Sequence, residues 1–353
     1  MRARGMTYDT GFVRKGQNSR PSFDPGVVRR ELQIIRDDLH CNAVQIIGGD
    51  PDRLEQAATD AAGLGMEVWF SPYPLELEPG EILQLFAECA VRAERLRQDG
   101  AEVVFVTGVE ISLMNRGLLP GDTLEERLDG LISTESALRQ ARFAELSTRV
   151  NDFLRDAVTV VRDRFKGRVT YAAVPLEQVD WSRFDIVSLE LIRSAEVAEQ
   201  FAGAVRSLVD EGKPVAITGF GTSAYQGAGD RGGRAMEIVE YDQDTGHPVR
   251  LNGTYPRDEA GQARYLDEVL ETFDTAGVDS TFVFLFALDH FPHRPDGDPR
   301  DDLDRASPAI VKSIEGRRGD TYPDMTWEPK AAFAAVAERY GSPAVRATPP
   351  PPP

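Results

Sequence analysis

Eight short apolar runs, each separated from the next by a stretch of helical or turn character, recur from one end of the chain to the other. This alternation narrows the fold more than any other feature. The runs fall at residues 5–9, 42–48, 66–72, 102–108, 169–175, 185–191, 214–219 and 281–287. They are rich in β-branched and aromatic residues, as strands buried on both faces are. Behind Asp24-Pro25, the residues Val28, Leu32, Ile35 and Leu39 share one face of a helix, and behind Asp50-Pro51 so do Leu54, Ala58, Ala61 and Leu64, closed by Gly65. An aspartate followed by proline is a helix start signal, and glycine a stop. Repeated βα units build a parallel sheet, and eight of them close it into a (β/α)8 TIM barrel.

The length fits that outcome, since 353 residues suit one barrel of roughly 200 to more than 400 residues. A single domain is expected over 1–345, with a disordered proline-rich tail at 346–353. The longest helical stretch spans 134–165, residues 178–184 are too few for more than one turn, and a closing helix is expected at 328–340. Two connections are long, 111–133 after the fourth strand and 220–258 after the seventh. Both leave the C-terminal ends of strands, where barrels of this kind build their active sites. The second opens with many glycines and reads as a lid.

Composition excludes some partners. With 40 basic and 58 acidic residues the net charge is −18, spread along the chain, which argues against nucleic acid or an anionic membrane surface. No apolar run approaches 18 residues and no signal-peptide core precedes the first strand, so a cytoplasmic protein with a small-molecule substrate is expected. Cys41 and Cys89 lack CxxC spacing and read as reduced core thiols. Nothing in the sequence calls for a cofactor.

Candidate functional residues cluster at the predicted strand ends. Glu110 closes the apolar fourth strand, either as a proton-donating carboxyl of raised pKa or as a salt-bridging rim residue. Glu190 stands in the otherwise apolar sixth strand, where a buried acid must pair, here with Arg193, or serve chemistry. Glu177 is a weaker candidate of the same sort. Tyr8 and Asp9 end the first strand, Asp9 as an acceptor for substrate hydroxyls or as a turn cap. Asp289, His290, His293 and Arg294 follow the eighth strand as substrate contacts, a proton relay or a surface loop. The two histidines flank a proline rather than forming a helical HExxH, so no metal site is assigned. The acidic run at 301–304 reads as a solvated turn. Trp69, Tyr73 and Tyr225 can stack on a substrate ring, although core packing accounts for Trp69 equally well.

The segment Lys213-Pro-Val-Ala-Ile-Thr-Gly-Phe-Gly221 resembles the seventh strand of retaining (β/α)8-barrel glycoside hydrolases, whose pattern K-P-[VI]-x-[IV]-T-E-F-G carries a nucleophilic glutamate. Glu110 resembles that family's strand-four acid/base. Arg4-Gly-Met-Thr-Tyr-Asp9 is similar to the R-G-[VM]-x-Y-D opening of bacterial barrel proteins of this kind. Two family markers differ, Gly219 in place of the nucleophile and Val109 in place of the asparagine that precedes the acid/base. Their joint change points to natural divergence rather than to an engineered trap. The resemblance implies a glycoside-hydrolase-like enzyme of small glycosides or polyhydroxylated metabolites. Gly219 removes the double-displacement route from strand seven, leaving Glu190 or Asp289 as base for an inverting water at about 6.5–9.5 Å from the acid. The alternatives are a cyclase, isomerase or lyase of specialised metabolism on a repurposed barrel, and a non-catalytic ligand-binding protein.

Overall fold

The structure, a computed structural model, describes residues 1–14, 16–132, 136–242 and 245–342; the expected tail at 346–353 lies outside them. Eight parallel strands close into a barrel: β1 (Ala3–Asp9), β2 (Ala43–Gly48), β3 (Glu67–Pro72), β4 (Val103–Val109), β5 (Arg168–Ala173), β6 (Val187–Glu190), β7 (Val215–Phe220) and β8 (Ser280–Val283). The ring closes by pairing β8 with β1, Gly5 opposite Phe282. All eight expected strands form, and β8 stops four residues short of its predicted end.

The helices outside are α1 (Pro25–Asp37), α2 (Pro51–Gly63), α3 (Pro79–Gln98), α4 (Ser136–Arg164), α5 (Ala198–Asp210), α6 (Glu259–Ala276) and α7 (Ala331–Gly341). The start signals work as read. Asp24 accepts hydrogen bonds from the Gly26 and Val27 amides, Asp50 from those of Asp52 and Arg53, and each is followed by proline. Between β5 and β6 only two single 3-10 turns form. None of the described helices is long and apolar enough to cross a membrane.

Alternation along each strand divides the core. Outward residues such as Met6, Val44, Phe70, Phe105 and Ile217 pack under the helices. Inward residues Ala3, Ala43, Trp69, Val104, Val106, Ala216 and Phe282 fill the barrel. Gly5 is required there, because a Cβ at that position would collide with the Phe282 ring. Cys41 and Cys89 are both free and buried.

The segment read as a lid carries structure of its own. Residues 220–258 form short helical turns and a hairpin (Val239–Tyr241 with Pro248–Leu251). Tyr225, Ile238 and Leu251 pack with Leu285, Leu288, Phe291 and Leu303 into a separate apolar core. Glycines in the first turns hid this from a reading of periodicity.

Candidate active site

Glu110 owes its position to an irregular end of β4. The pairing with β5 shifts between Val106 and Val109, and Gly108 takes a positive φ of 88°. Glu110 itself is left-handed (φ 44°, ψ 42°), its amide donates to the Ala172 carbonyl at 2.9 Å, and its own carbonyl accepts from Leu113 and Met114 at 3.0 Å. A left-handed glutamate costs about 1–2 kcal/mol, so something must hold it. Glu177 does so: it accepts from the Ser112 amide (3.2 Å), the Ser112 hydroxyl (2.6 Å) and Tyr171 (2.8 Å), while the Tyr171 oxygen accepts from the Ile111 amide (2.9 Å). Glu177 is therefore a buried, fully satisfied buttress of the turn that presents Glu110.

Glu190 ends β6 on the inner face, with Gly219 of β7 as its register partner. A Cβ built on Gly219 would lie 2.6 Å from Glu190 Cδ and overlap Oε2 outright. The carboxylate of 190 thus occupies the space into which a side chain at 219 would project. Arg193 does not pair with it; that guanidinium turns outward to Glu268 (2.6 Å) and lies over the Tyr265 ring. The ion-pair expectation for Glu190 is overturned because the chain leaves the barrel mouth directly after Glu190.

The two half-buried carboxyls perturb one another. Burial, then the charges of Glu190 and Glu177, push Glu110 up to about 8. Burial pushes Glu190 up to about 7, with the Thr218 hydroxyl acting against it. Both carboxyls are thus raised toward neutral pH, which is the arrangement that supplies an acid and a base side by side. Tyr73 joins them, its phenol kept neutral by burial and by the charges of Glu110 and Glu190. Its ring meets Phe12 edge-on at 5.6 Å, and Phe12 meets His290 at 5.9 Å. Sequence reading passed over Phe12, although an aromatic three residues beyond β1 was a signal.

The remaining expected site residues disperse. Asp289 keeps 40 % of its side chain exposed and faces Ser313 (3.1 Å) and Arg20 (3.8 Å). Its charge is felt at Asp9 and is not among the influences on Glu110 or Glu190. Asp9 accepts from the Gly11 amide (2.7 Å) and the Ser19 hydroxyl (2.6 Å), so it is the turn cap that anchors the loop bearing Phe12. Burial still lifts it to about 6. Tyr8 faces outward to α1, donating to Glu31 (2.6 Å) and accepting from Arg20 (2.8 Å). Trp69 plugs the barrel against Phe282 at 4.6 Å and donates to Glu67. Tyr225 is buried with its hydroxyl on the Ala235 carbonyl. These three are structural rather than sugar-stacking, each for want of an exposed face.

Beyond β8, His290 is half-buried and held neutral, burial lowering it to about 4. His293 lies elsewhere, bonded to Asp302 at 2.9 Å. Arg294 pairs with Glu315 at the surface. The supposed solvated turn is a buried knot, where Asp302 meets Arg257 and Arg305, and Asp304 meets Arg257 and Lys330 at 2.8 Å each. Among the described residues no group of three or more His, Cys, Asp or Glu side chains is arranged to hold a metal ion.

No protein-family model matches the chain, and no curated protein does. Solved structures do resemble it. A GH113 β-1,4-mannanase superposes with a TM-score of 0.60 at 14% identity, over 97% of this chain and 100% of the mannanase. Bacteroides uniformis β-glucuronidase 2 gives 0.57 at 14% identity over 97% of this chain, which spans 35% of the glucuronidase. Thermotoga maritima Cel5A gives 0.51 at 12% identity, over 86% and 97% of the two chains. At such identities the likeness is one of fold. The chain has the barrel of these glycosidases.

Proposed function

We propose that this protein is a glycoside-hydrolase-like enzyme that cleaves a small intracellular glycoside or polyhydroxylated metabolite, with Glu110 as general acid/base and Glu190 as the opposing carboxylate. The observation that carries the proposal is the overlap of the Glu190 carboxylate with the space a side chain at Gly219 would need. In glycosidases of the resembled type that space belongs to the nucleophile, so the second carboxylate has moved to the neighbouring strand rather than vanished.

Glu110, whose carboxyl is raised by burial and by the charges of Glu190 and Glu177, is the acid and delivers its proton to the glycosidic oxygen. Glu190, supplied by strand six instead of strand seven, attacks the anomeric carbon; water then releases the sugar as Glu110 takes the proton back. The route requires carboxyls about 5–5.5 Å apart and gives retention. Tyr73 and Phe12 supply an apolar wall with one phenolic donor beside the reacting bond.

The test is a panel of aryl glycosides. Glu110→Gln should lose about 10²–10⁴-fold on poor leaving groups and much less on dinitrophenyl glycosides, which need no acid. Glu190→Gln should lose activity on all of them. A 2-fluoro glycoside should label the Glu190 peptide in the mass spectrum. Activity unaffected by either substitution would sink the reading. An inverted anomer in the initial NMR spectrum would sink the nucleophilic role of Glu190 and leave it as the base.

A further inference from the structure

Below the two carboxylates the barrel is not uniformly apolar. Thr7, Gln45, Ser71, Thr170, Ser188 and Thr218 are all buried, and all lie in phase with the inward residues Ala3, Ala43, Trp69, Ala172, Ile186 and Ala216. Toward β5 and β6 this layer satisfies itself. Thr170 and Ser188 bond each other at 2.7 Å, and Thr170 also donates to the Ile186 carbonyl. Toward β7, β1 and β2 it does not. The Gln45 amide nitrogen donates to Ser71 at 3.3 Å, which fixes its oxygen on the other side. That oxygen, Thr7 Oγ1, Thr218 Oγ1 and Glu190 Oε1 make no hydrogen bond of good geometry among the described residues and are sealed from solvent, although the Thr218 hydroxyl is near enough to Glu190 to lower its carboxyl.

Each buried polar atom without a partner calls for an explanation, and four of them face one lumen. Their chemistry is complementary. Two hydroxyls supply protons, while an amide oxygen and a carboxylate oxygen accept them. A water molecule accepts two hydrogen bonds and donates two, so it matches the set. An apolar ligand would meet none of these needs.

We propose that the lumen beneath the active site holds ordered internal water, fixed by Thr7, Thr218 and Gln45, which hydrogen-bonds Glu190 Oε1 from below. Thr7 sits on β1, paired with Gln45 and separated from the Glu190 rung by β8 and β7. Thr218 directly precedes the register partner of Glu190. The two threonines are therefore positioning residues of different kinds, Thr218 beside the carboxylate and Thr7 acting on it only through water.

The inference concerns Glu190 whatever bond the enzyme cleaves, so its test reads titration rather than turnover. In protein labelled with ¹³C at glutamate carboxyls, with the Glu190 signal assigned by Glu190→Gln, the near-isosteric Thr7→Val variant should raise the Glu190 midpoint by about one pH unit, because a hydrogen bond to the charged form is lost. Thr218→Val should do at least as much. An unchanged midpoint in folded Thr7→Val overturns the proposal. So does a high-resolution crystal structure of the unaltered protein in which the four atoms bond one another with no density between them. A midpoint that moves when sodium is exchanged for choline also overturns it, in favour of a bound cation. Water density in contact with Thr7, Thr218 and Glu190, together with the Thr7→Val shift, establishes it.

Discussion

Two groups of buried acids sit toward the same end of this barrel, and they are treated in opposite ways. Asp302 and Asp304 are enclosed with Arg257, Arg305 and Lys330. Burial alone would raise the Asp302 carboxyl, but His293, Arg257 and Arg305 hold it well below the usual carboxylate range. Among the described residues no cation pairs with Glu110 or Glu190, and both rise. Burial is common to the two sites, so compensation makes the difference. The knot uses its acids to hold the loop after β8 in place, whereas the pair keeps its acids uncompensated at the cost of stability.

The sharpest way to break this contrast is to remove a cation. Lys330 is wholly buried against Asp304. Lys330→Met should cost about 3 kcal/mol, at the low end for a broken buried pair because Arg257 remains on Asp304. Urea unfolding measures it, and a loss below 1 kcal/mol would show that the knot is not what holds the loop. Next comes Gly219→Ala, whose methyl must evict the Glu190 carboxylate. Once a glycoside substrate is in hand, kcat/KM should fall about 100-fold, or roughly 2.7 kcal/mol, with the melting temperature changed far less than by Lys330→Met.

Removing an acid from the pair should have the opposite sign. Between the ordinary glutamate value of 4.5 and the raised values of about 7 and about 8, the folded protein keeps protons that the unfolded chain has released. Stability from these groups therefore falls as pH rises through that window. Glu190→Gln should flatten that fall and stabilise the protein by about 1–2 kcal/mol at pH 8, a figure kept low because both side chains are half-buried. The Asp302 contribution runs the other way, complete above its ordinary value of 3.8 and lost as pH drops below it. Asp302→Asn should thus soften acid unfolding, which urea titrations at pH 3 and pH 7 resolve. The smallest effect belongs to Tyr225→Phe, about 1 kcal/mol from the lost bond to Ala235 and no change in KM. A raised KM would return Tyr225 to the substrate.

The barrel was legible because its signals are local. Each strand's apolar run and each Asp-Pro start depends on a few adjacent residues, and all eight strands formed where expected. The site was legible only in part. Glu110 and Glu190 could be named from their place at strand ends, but that Glu190 fills the room left by Gly219 depends on the rung that pairs two strands, and the register slips there by one residue. Tyr8 was misread because it faces outward, in phase with Met6 and opposite to Asp9. The acidic run at 301–304 looked solvated because its partners, Arg257 and Lys330, lie 45 and 26 residues away from Asp302 and Asp304 respectively. Long-range charge compensation leaves no periodic mark.

The exchange at the β6–β7 rung bears on how proteins lose or keep an activity. Deleting a nucleophile is usually taken as the end of a lineage's chemistry. Here the lack of a side chain at Gly219 leaves room for the Glu190 carboxylate of the adjacent strand, and neighbouring strands stand only about 4.8 Å apart. If Glu190 has the role proposed above, a catalytic group changes its address by one strand while its carboxylate barely moves. Surveys that score barrels by the residue at a fixed strand position pass over such chains, and a search for a glutamate one rung over tests how many share this arrangement.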